Sequence, residues 1–251
     1  MKFSIITITY NAERWIEKTL LSVLGQSYND IEYIVVDGAS TDHTLALVQK
    51  YKEQIDLCIS EPDKGLYDAM NKGIAKATGD YIWFINAGDT FHSPDTVKLV
   101  AQKVSHYNHT ASPDILYGET EIINEKGENL GKRRLRAPKT LTWKSFRMGM
   151  LVCHQSFVVK RIIAPRYNLA YRYSADVDWC IRCMKEASLI VNTEQTLSHF
   201  LDGGLSSSQR KDSLKERFHI MCHYYGTLST LTLHLWFALR FHYAKWIKKR
   251  V

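Results

Sequence analysis

Ile31-Glu32-Tyr33-Ile34-Val35-Val36-Asp37-Gly38-Ala39-Ser40-Thr41-Asp42 is the stretch that decides the fold. Its first half is a nearly continuous apolar run that ends in a carboxylate, and Ser40-Thr41-Asp42 supplies residue types that open a helix. Such a run followed by a helix start reads as a buried strand of a parallel sheet. The alternation continues on both sides. Residues 3–9 are β-rich, and a helix is expected over 12–24 with Asn11 as its cap. Residues 56–60 read as a short strand. Leu66, Ala69, Met70, Gly73, Ile74 and Ala77 then fall at helical spacing, and residues 81–85 form the next buried strand. Strands separated by helices predict an α/β fold whose sheet is covered on both faces. Ligands in such folds collect beyond the carboxyl ends of the strands. Asp37, Glu61, Asp63 and Asp89 all lie just past expected strand ends.

The second half is less regular. Residues 115–119 and 155–160 read as strands, 122–130 as a hairpin turning at Glu125-Lys126-Gly127-Glu128, and 176–187 as a helix. Two further helices are expected over 208–226 and 227–250. The 251 residues are enough for one catalytic domain over 1–206, with a nucleotide-binding half (1–100) and an acceptor-binding half (101–206). Residues 207–251 form a basic helical extension. The N-terminus alternates apolar residues with threonine and reads as a strand, not a signal peptide, so a cytoplasmic location is expected. Five cysteines, an odd number in mostly apolar surroundings, fit reduced thiols. Cys180 and Cys183 lie inside a helical run and read as structural.

Four acidic clusters stand out: Asp37 to Asp42, Glu61-Pro62-Asp63-Lys64-Gly65, Asn86-Ala87-Gly88-Asp89, and Ser174-Ala175-Asp176-Val177-Asp178. Each alone could cap a helix or close a turn. Together, and in this order, they resemble the inverting family 2 glycosyltransferases of the GT-A fold, the bacterial group that builds polysaccharides. The resemblance spans about residues 1–205. Thr9-Tyr10-Asn11 resembles the family's opening, and Ser22-Val23-Leu24-Gly25-Gln26-Ser27-Tyr28 its first helix end. The run from Glu61 through Leu66-Tyr67-Asp68-Ala69-Met70-Asn71-Lys72-Gly73 is close to a signature. Asn86-Ala87-Gly88-Asp89 stands where the family carries its DxD motif. The resemblance implies a Rossmann-like, mostly parallel central sheet flanked by helices, with the C-terminal extension added.

The resemblance also implies roles. The donor is a nucleotide diphosphate sugar, with UDP the commonest nucleotide. Thr9, Tyr10, Asn11, Asp37, Asp63, Lys64, Gly65, Asn86 and Gly88 fall in its binding segments. Asp37 and Asp63 are expected to face the nucleoside. The free N–H groups at Lys64-Gly65, opening a helix, suit phosphate. A departing diphosphate needs its charge neutralised, and Mn²⁺ or Mg²⁺ bound by oxygen ligands does this. Asn86 and Gly88 depart from the DxD pattern, which leaves Asp89 as the motif's only carboxylate and the expected metal ligand. His199 is a further candidate for the metal shell, and Asp202-Gly203-Gly204-Leu205-Ser206 for a loop over the diphosphate. Asp176 is the expected general base for the acceptor hydroxyl. His154, Gln155 and Asp178 fall on the acceptor side.

The formal net charge of +7 is local. Seven basic residues and no acid lie between Lys132 and Arg147, and five more, again with no acid, follow from Arg240. Local excess predicts an anionic partner. No nucleic-acid reader motif accompanies these patches, and nucleic-acid binding would leave the acidic clusters unexplained. A nucleotidyltransferase is the other alternative, but its glycine-rich loop is missing at Thr9-Tyr10-Asn11-Ala12. Residues 228–247 are rich in Leu, Trp, Phe and Tyr, but His234, Arg240, His242 and Lys245 interrupt them. That pattern predicts a helix lying on the inner face of a membrane, with packing on the catalytic domain or on a second copy in a homodimer as the alternative. The expected acceptor is a saccharide carried on a lipid diphosphate.

Overall fold

The computed structural model describes residues 1–107, 111–203 and 210–248. The expected features at Gly204, Leu205, Ser206, Lys249 and Arg250 lie outside the described residues. The first half alternates β1 (Phe3–Thr9), α1 (Ile16–Leu24), β2 (Ile31–Asp37), α2 (Thr44–Gln49), β3 (Leu57–Ser60), α3 (Leu66–Lys76) and β4 (Tyr81–Phe84). It continues through β5 (Thr90–Phe91), α4 (Thr96–Tyr107), β6 (Ile115–Ile123), β7 (Asn129–Lys132) and β8 (Phe157–Lys160). The chain then forms α5 (Ala175–Glu186), β9 (Ile190–Leu201), α6 (Arg210–Tyr225) and α7 (Thr227–Lys248).

The strands form one sheet in the order β3-β2-β1-β4-β8-β6-β9-β5, with β7 paired to β6. The first four are mutually parallel, β8 runs against both its neighbours, β6 and β9 are parallel, and β5 is antiparallel to β9. Every residue of β1 is buried, so its two faces feed two cores. Ile6 and Ile8 join Ile34, Val36 and Phe84 under α3 and α5. Phe3 and Ile5 join Tyr33, Val35 and Trp83 under α1 and α4. This two-sided burial is why the strands read as unbroken apolar runs.

Two expectations about the first half need correction. The helix expected from residue 12 begins at Ile16, and Asn11 does not cap it. Asn11 sits at φ 46, a left-handed conformation that Asn tolerates, and ties two loops together instead. Its N–H donates to Ser40 Oγ at 2.8 Å and its Oδ1 accepts from the Thr41 N–H at 2.9 Å. Nor is the second helix opened at Ser40: Asp42 accepts from the Thr44 N–H at 2.9 Å and α2 starts there.

The C-terminal helices are tied to the catalytic domain. Glu216 of α6 accepts the N–H groups of Arg172, Tyr173 and Ser174 at 2.8, 2.7 and 2.9 Å. Tyr224 donates to Asp178 at 2.7 Å. On α7, Thr230 is fully buried and His234 packs its ring edge-on to Phe218 of α6. Leu228, Leu231, Leu235, Trp236 and Leu239 remain exposed at helical spacing. No helix among the described residues is long and apolar enough to cross a membrane.

Candidate active site

The carboxyl ends of β1, β2, β3 and β4 open into a cavity of about 970 Å³. Thr9 ends β1 and Tyr10 and Asn11 follow it, Gly38 and Ala39 follow β2, Pro62, Asp63 and Gly65 follow β3, and Asn86 and Asp89 follow β4. The same cavity is lined by Arg133, His154, Gln155, Arg172, Tyr173, Asp176 and Leu201, and by Arg217 of α6. The structure thus brings most of the expected donor residues and Asp176 into the lining of one cavity.

Asp37 is not at the surface, where a carboxylate past a strand end was expected. It is fully buried. It accepts hydrogen bonds from the Ser40 N–H and hydroxyl at 3.1 and 2.5 Å and from the Ser60 hydroxyl at 2.7 Å. Those contacts shape the turn that presents Gly38 and Ala39. Gly38 leaves room for the Asp63 carboxylate, since a Cβ would displace Asp63 Oδ2 and press on the Tyr10 ring. The N–H groups expected to be free at the start of α3 are engaged: Gly65 donates to Asp63 at 2.7 Å and Lys64 to Asp68 at 3.0 Å. Lys64 does not line the cavity.

Asp89 lies in a turn formed by Gly88, whose φ is 100 and whose close approach to Leu201 leaves no room for a Cβ. Its carboxylate is 4% exposed. Oδ2 accepts from Gln155 Nε2 at 2.5 Å and Oδ1 from the Leu201 N–H at 3.1 Å. Burial pushes the Asp89 carboxyl up to about 7, against the pull of those two donors. Two buried side-chain oxygens among the described residues have no partner: Asn86 Oδ1, in the turn that carries Asp89, and Thr9 Oγ1 at the end of β1. Both residues line the cavity. Buried oxygens without partners and a buried carboxylate are groups of the kind that could hold a hard cation or a polar ligand.

Asp176 accepts from the Tyr67 hydroxyl at 3.2 Å. Burial, with the Asp176 charge next in weight, raises Tyr67 well above the usual tyrosine value. Tyr67 stacks on Tyr167 at 5.4 Å, and Tyr167 on Trp179 at 5.0 Å, so the hydroxyl that Asp176 accepts from belongs to an aromatic stack. Tyr167 also hydrogen-bonds His154 Nε2. His154 therefore lines the cavity as a buried, partnered ring, 4% exposed. Gln155 serves Asp89. Asp178 does not reach the acceptor side: it is clamped by Arg182 at 2.8 Å and by Tyr224 of α6, away from the cavity lining. His199 is likewise outside the lining, and its ring joins His92 and Glu121. Burial lowers His199, with His92 next in weight.

Arg172, Tyr173 and Arg217 were not among the residues expected from sequence. Glu216 holds the loop that carries the first two, directly before Asp176. Glu216→Ala leaves three N–H groups without their acceptor, at a cost of about 1–3 kcal/mol in stability. A displacement near 1 Å at Asp176 then lowers turnover by roughly 10²-fold. Glu216→Gln should keep part of both. Equal turnover in Glu216→Ala and the parent chain, measured with thermal unfolding, would contradict this role.

His154 makes a pH prediction. Burial lowers it from 6.5 to about 4, with Asp176 opposing. The unfolded chain then binds a proton that the folded chain refuses, so stability is present above about 6.5 and is lost as pH falls toward 4. The loss reaches at most about 3 kcal/mol. The difference in urea-unfolding free energy between the parent chain and His154→Gln, followed from pH 7 to 4, should show this slope, since the raised Asp89 carboxyl acts in the opposite sense and is common to both; a difference that does not vary with pH would assign acid sensitivity elsewhere.

Comparison with known proteins agrees with this architecture. The sequence profile of glycosyl transferase family 2 matches residues 4–163. An uncharacterized glycosyltransferase of Mycobacterium tuberculosis is 35% identical over 184 residues, covering 71% of this chain and 67% of the relative. A PGL/p-HBAD biosynthesis glycosyltransferase of the same species is 31% identical over 215 residues, covering 82% and 79%. Among solved structures, Staphylococcus aureus TarS (residues 1–349, with UDP-GlcNAc) superposes with a TM-score of 0.71 at 18% identity, covering 93% of this chain and 70% of TarS. The mannosyltransferase PcManGT of Pyrobaculum calidifontis, with GDP-Man and Mn²⁺, gives 0.60 at 17% identity, covering 93% and 73%. At these identities the structural likeness speaks for the fold. The chain belongs to glycosyl transferase family 2 and is a glycosyltransferase of the GT-A fold.

Proposed function

We propose that the enzyme transfers a sugar from a UDP-sugar to an acceptor hydroxyl with inversion, Asp176 being the general base. The observation that supports this best is that the strand-end donor residues and Asp176 line one cavity. The nucleoside lies at the end lined by Tyr10, Gly38 and Asp63, where the exposed Tyr10 ring offers a face for the base. Asp89, with Asn86 Oδ1, would hold Mn²⁺ or Mg²⁺, which when bound would neutralise the leaving diphosphate. Asp176 accepts the acceptor hydroxyl's proton as that oxygen attacks the anomeric carbon from the side opposite the diphosphate. Tyr67 orients the Asp176 carboxylate by its hydrogen bond. UDP is favoured over GDP because TarS, the neighbour with the higher TM-score, carries UDP-GlcNAc. The direct test is donor turnover by water: UDP release from a panel of UDP-sugars with Mn²⁺, with NMR of the freed sugar. Release of the inverted anomer is expected; a retained anomer would overturn the mechanism.

The acceptor is a saccharide on a lipid diphosphate. Arg133, Arg172 and Arg217 line the same cavity as Asp176, and Arg217 donates to Ser174, two residues before it, so an anionic acceptor would be drawn there. The exposed Leu228, Leu231, Leu235, Trp236 and Leu239 face of α7, in a segment that also carries Lys248, Lys249 and Arg250, rests on the inner membrane surface. The full chain should co-sediment with anionic vesicles, less so at high salt, and Leu231→Glu/Leu235→Glu should abolish the binding. Unchanged co-sedimentation of that variant, or none by the parent, would remove the membrane from the account and leave a second copy as the occupant.

A further inference from the structure

One cluster of ligating side chains takes no part in the proposed transfer. His92 follows β5, Glu121 lies on β6 and His199 on β9, so three segments distant in sequence bring them together. The register explains the meeting. β9 runs between β6 and β5, with His199 opposite Glu121 on one side and opposite Thr90 on the other. His92 Nδ1 lies 3.1 Å from His199 Nε2 and 3.8 Å from Glu121 Oε2, and His199 Nε2 lies 3.7 Å from the same oxygen.

We propose that His92, Glu121 and His199 form a Zn²⁺ site separate from the cation site of the donor cavity. Around a tetrahedral zinc with bonds of about 2.0–2.1 Å, ligand atoms lie roughly 3.3–3.4 Å apart. The three sides of this triangle fall on either side of that value. Two imidazoles and one carboxylate are a zinc set, whereas Mg²⁺ and Ca²⁺ prefer oxygen throughout. The ligands are also supported from outside. Thr90 Oγ1 lies 3.3 Å from His199 Nδ1, which leaves Nε2 aimed into the triangle. Asn129 Nδ2 donates to Glu121 Oε2 at 2.6 Å, leaving that oxygen a second lone pair. Such outer contacts orient metal ligands. The His92 side chain is 40% exposed, so water can fill the fourth position.

None of the three residues lines the donor cavity, yet the site acts on its wall. Asp89 directly precedes the two-residue β5, and Leu201, whose N–H donates to Asp89, ends β9. Zn²⁺ at this position clips β5 to β9 and fixes that contact. The inference stands independently of the donor and acceptor assigned above.

The test uses the full chain with any affinity tag removed and no nucleotide present. Calorimetry with Zn²⁺ alone should give one equivalent bound, and Co²⁺ should give the intense visible absorption of a four-coordinate site. His92→Ala and His199→Asn should each weaken Zn²⁺ binding at least tenfold, while Asp89→Ala leaves it unchanged. His92 is exposed, so its variant reports even if the His199 variant folds poorly. Absence of stoichiometric binding, equal affinity in the His92 variant, or loss of binding in Asp89→Ala would each overturn the site.

Discussion

Asp176→Asn is expected to bind UDP-sugar and Mn²⁺ as the parent chain does and to lose transfer by about 10²–10⁴-fold, the range that removal of a general base costs. The substitution keeps the size of the side chain and an oxygen that can still accept from Tyr67, so the aromatic stack of Tyr67, Tyr167 and Trp179 stays in place. What it removes is the ability to take a proton from the acceptor hydroxyl. Loss of kcat without loss of donor affinity therefore marks a group acting in the transition state rather than in binding. Asp178→Asn is the contrasting variant. Its carboxylate is held by Arg182 and Tyr224, so its loss should lower stability and leave the chemistry comparatively intact. Near-normal turnover in Asp176→Asn beside a dead Asp178→Asn would reverse the assignment.

Asp89→Ala should abolish the Mn²⁺-dependent part of UDP binding, measured by calorimetry with and without the metal. Asp89 is the carboxylate of its motif, and no second one from that motif can replace it. The folded chain should tolerate the change, because burial already raises the Asp89 carboxyl to about 7. A group with a raised folded value adds stability only below its unfolded value and loses it as pH rises through about 7. At neutral pH, ionised Asp89 is therefore a cost to the fold, and its removal is offset by relief of that cost. Gln155 and the Leu201 N–H lose their acceptor, which limits the gain. Retention of metal-dependent UDP binding in this variant would place the cation elsewhere.

The nucleotide half was legible because its signals are local. An unbroken apolar run means a strand buried on both faces, and β1, β2 and β4 are so buried. The acidic residues after those strands were found for the same reason. Their orientation was not legible. Asp37 and Asp63 look alike in sequence, yet Ser40 and Ser60 draw the first into the protein while the second lines the cavity. β9 escaped notice because it is half polar and bulged, with Glu194 at φ 61, and its partner β6 lies far away in sequence. Val97, Val100, Ala101 and Val104 do carry the helical period of α4, a signal the stronger motifs overshadowed. Arg217 had no signal: α6 mixes apolar and charged residues all round, so only the packing of Glu216 against residues 172–174 decides which face turns inward.

The central claim is that the strand-end cavity holds a nucleoside diphosphate sugar with a divalent cation. Thermal unfolding with a panel of UDP-, GDP- and dTDP-sugars, each with and without Mn²⁺, tests it most directly. A UDP-sugar at about 100 times its Kd should stabilise the chain by about 2.7 kcal/mol, which corresponds to a rise in Tm of roughly 5–10 °C for a domain of this size. That rise should need Mn²⁺ and should vanish in Asp89→Ala. Equal Tm values across all donors, with the metal present, would contradict the account.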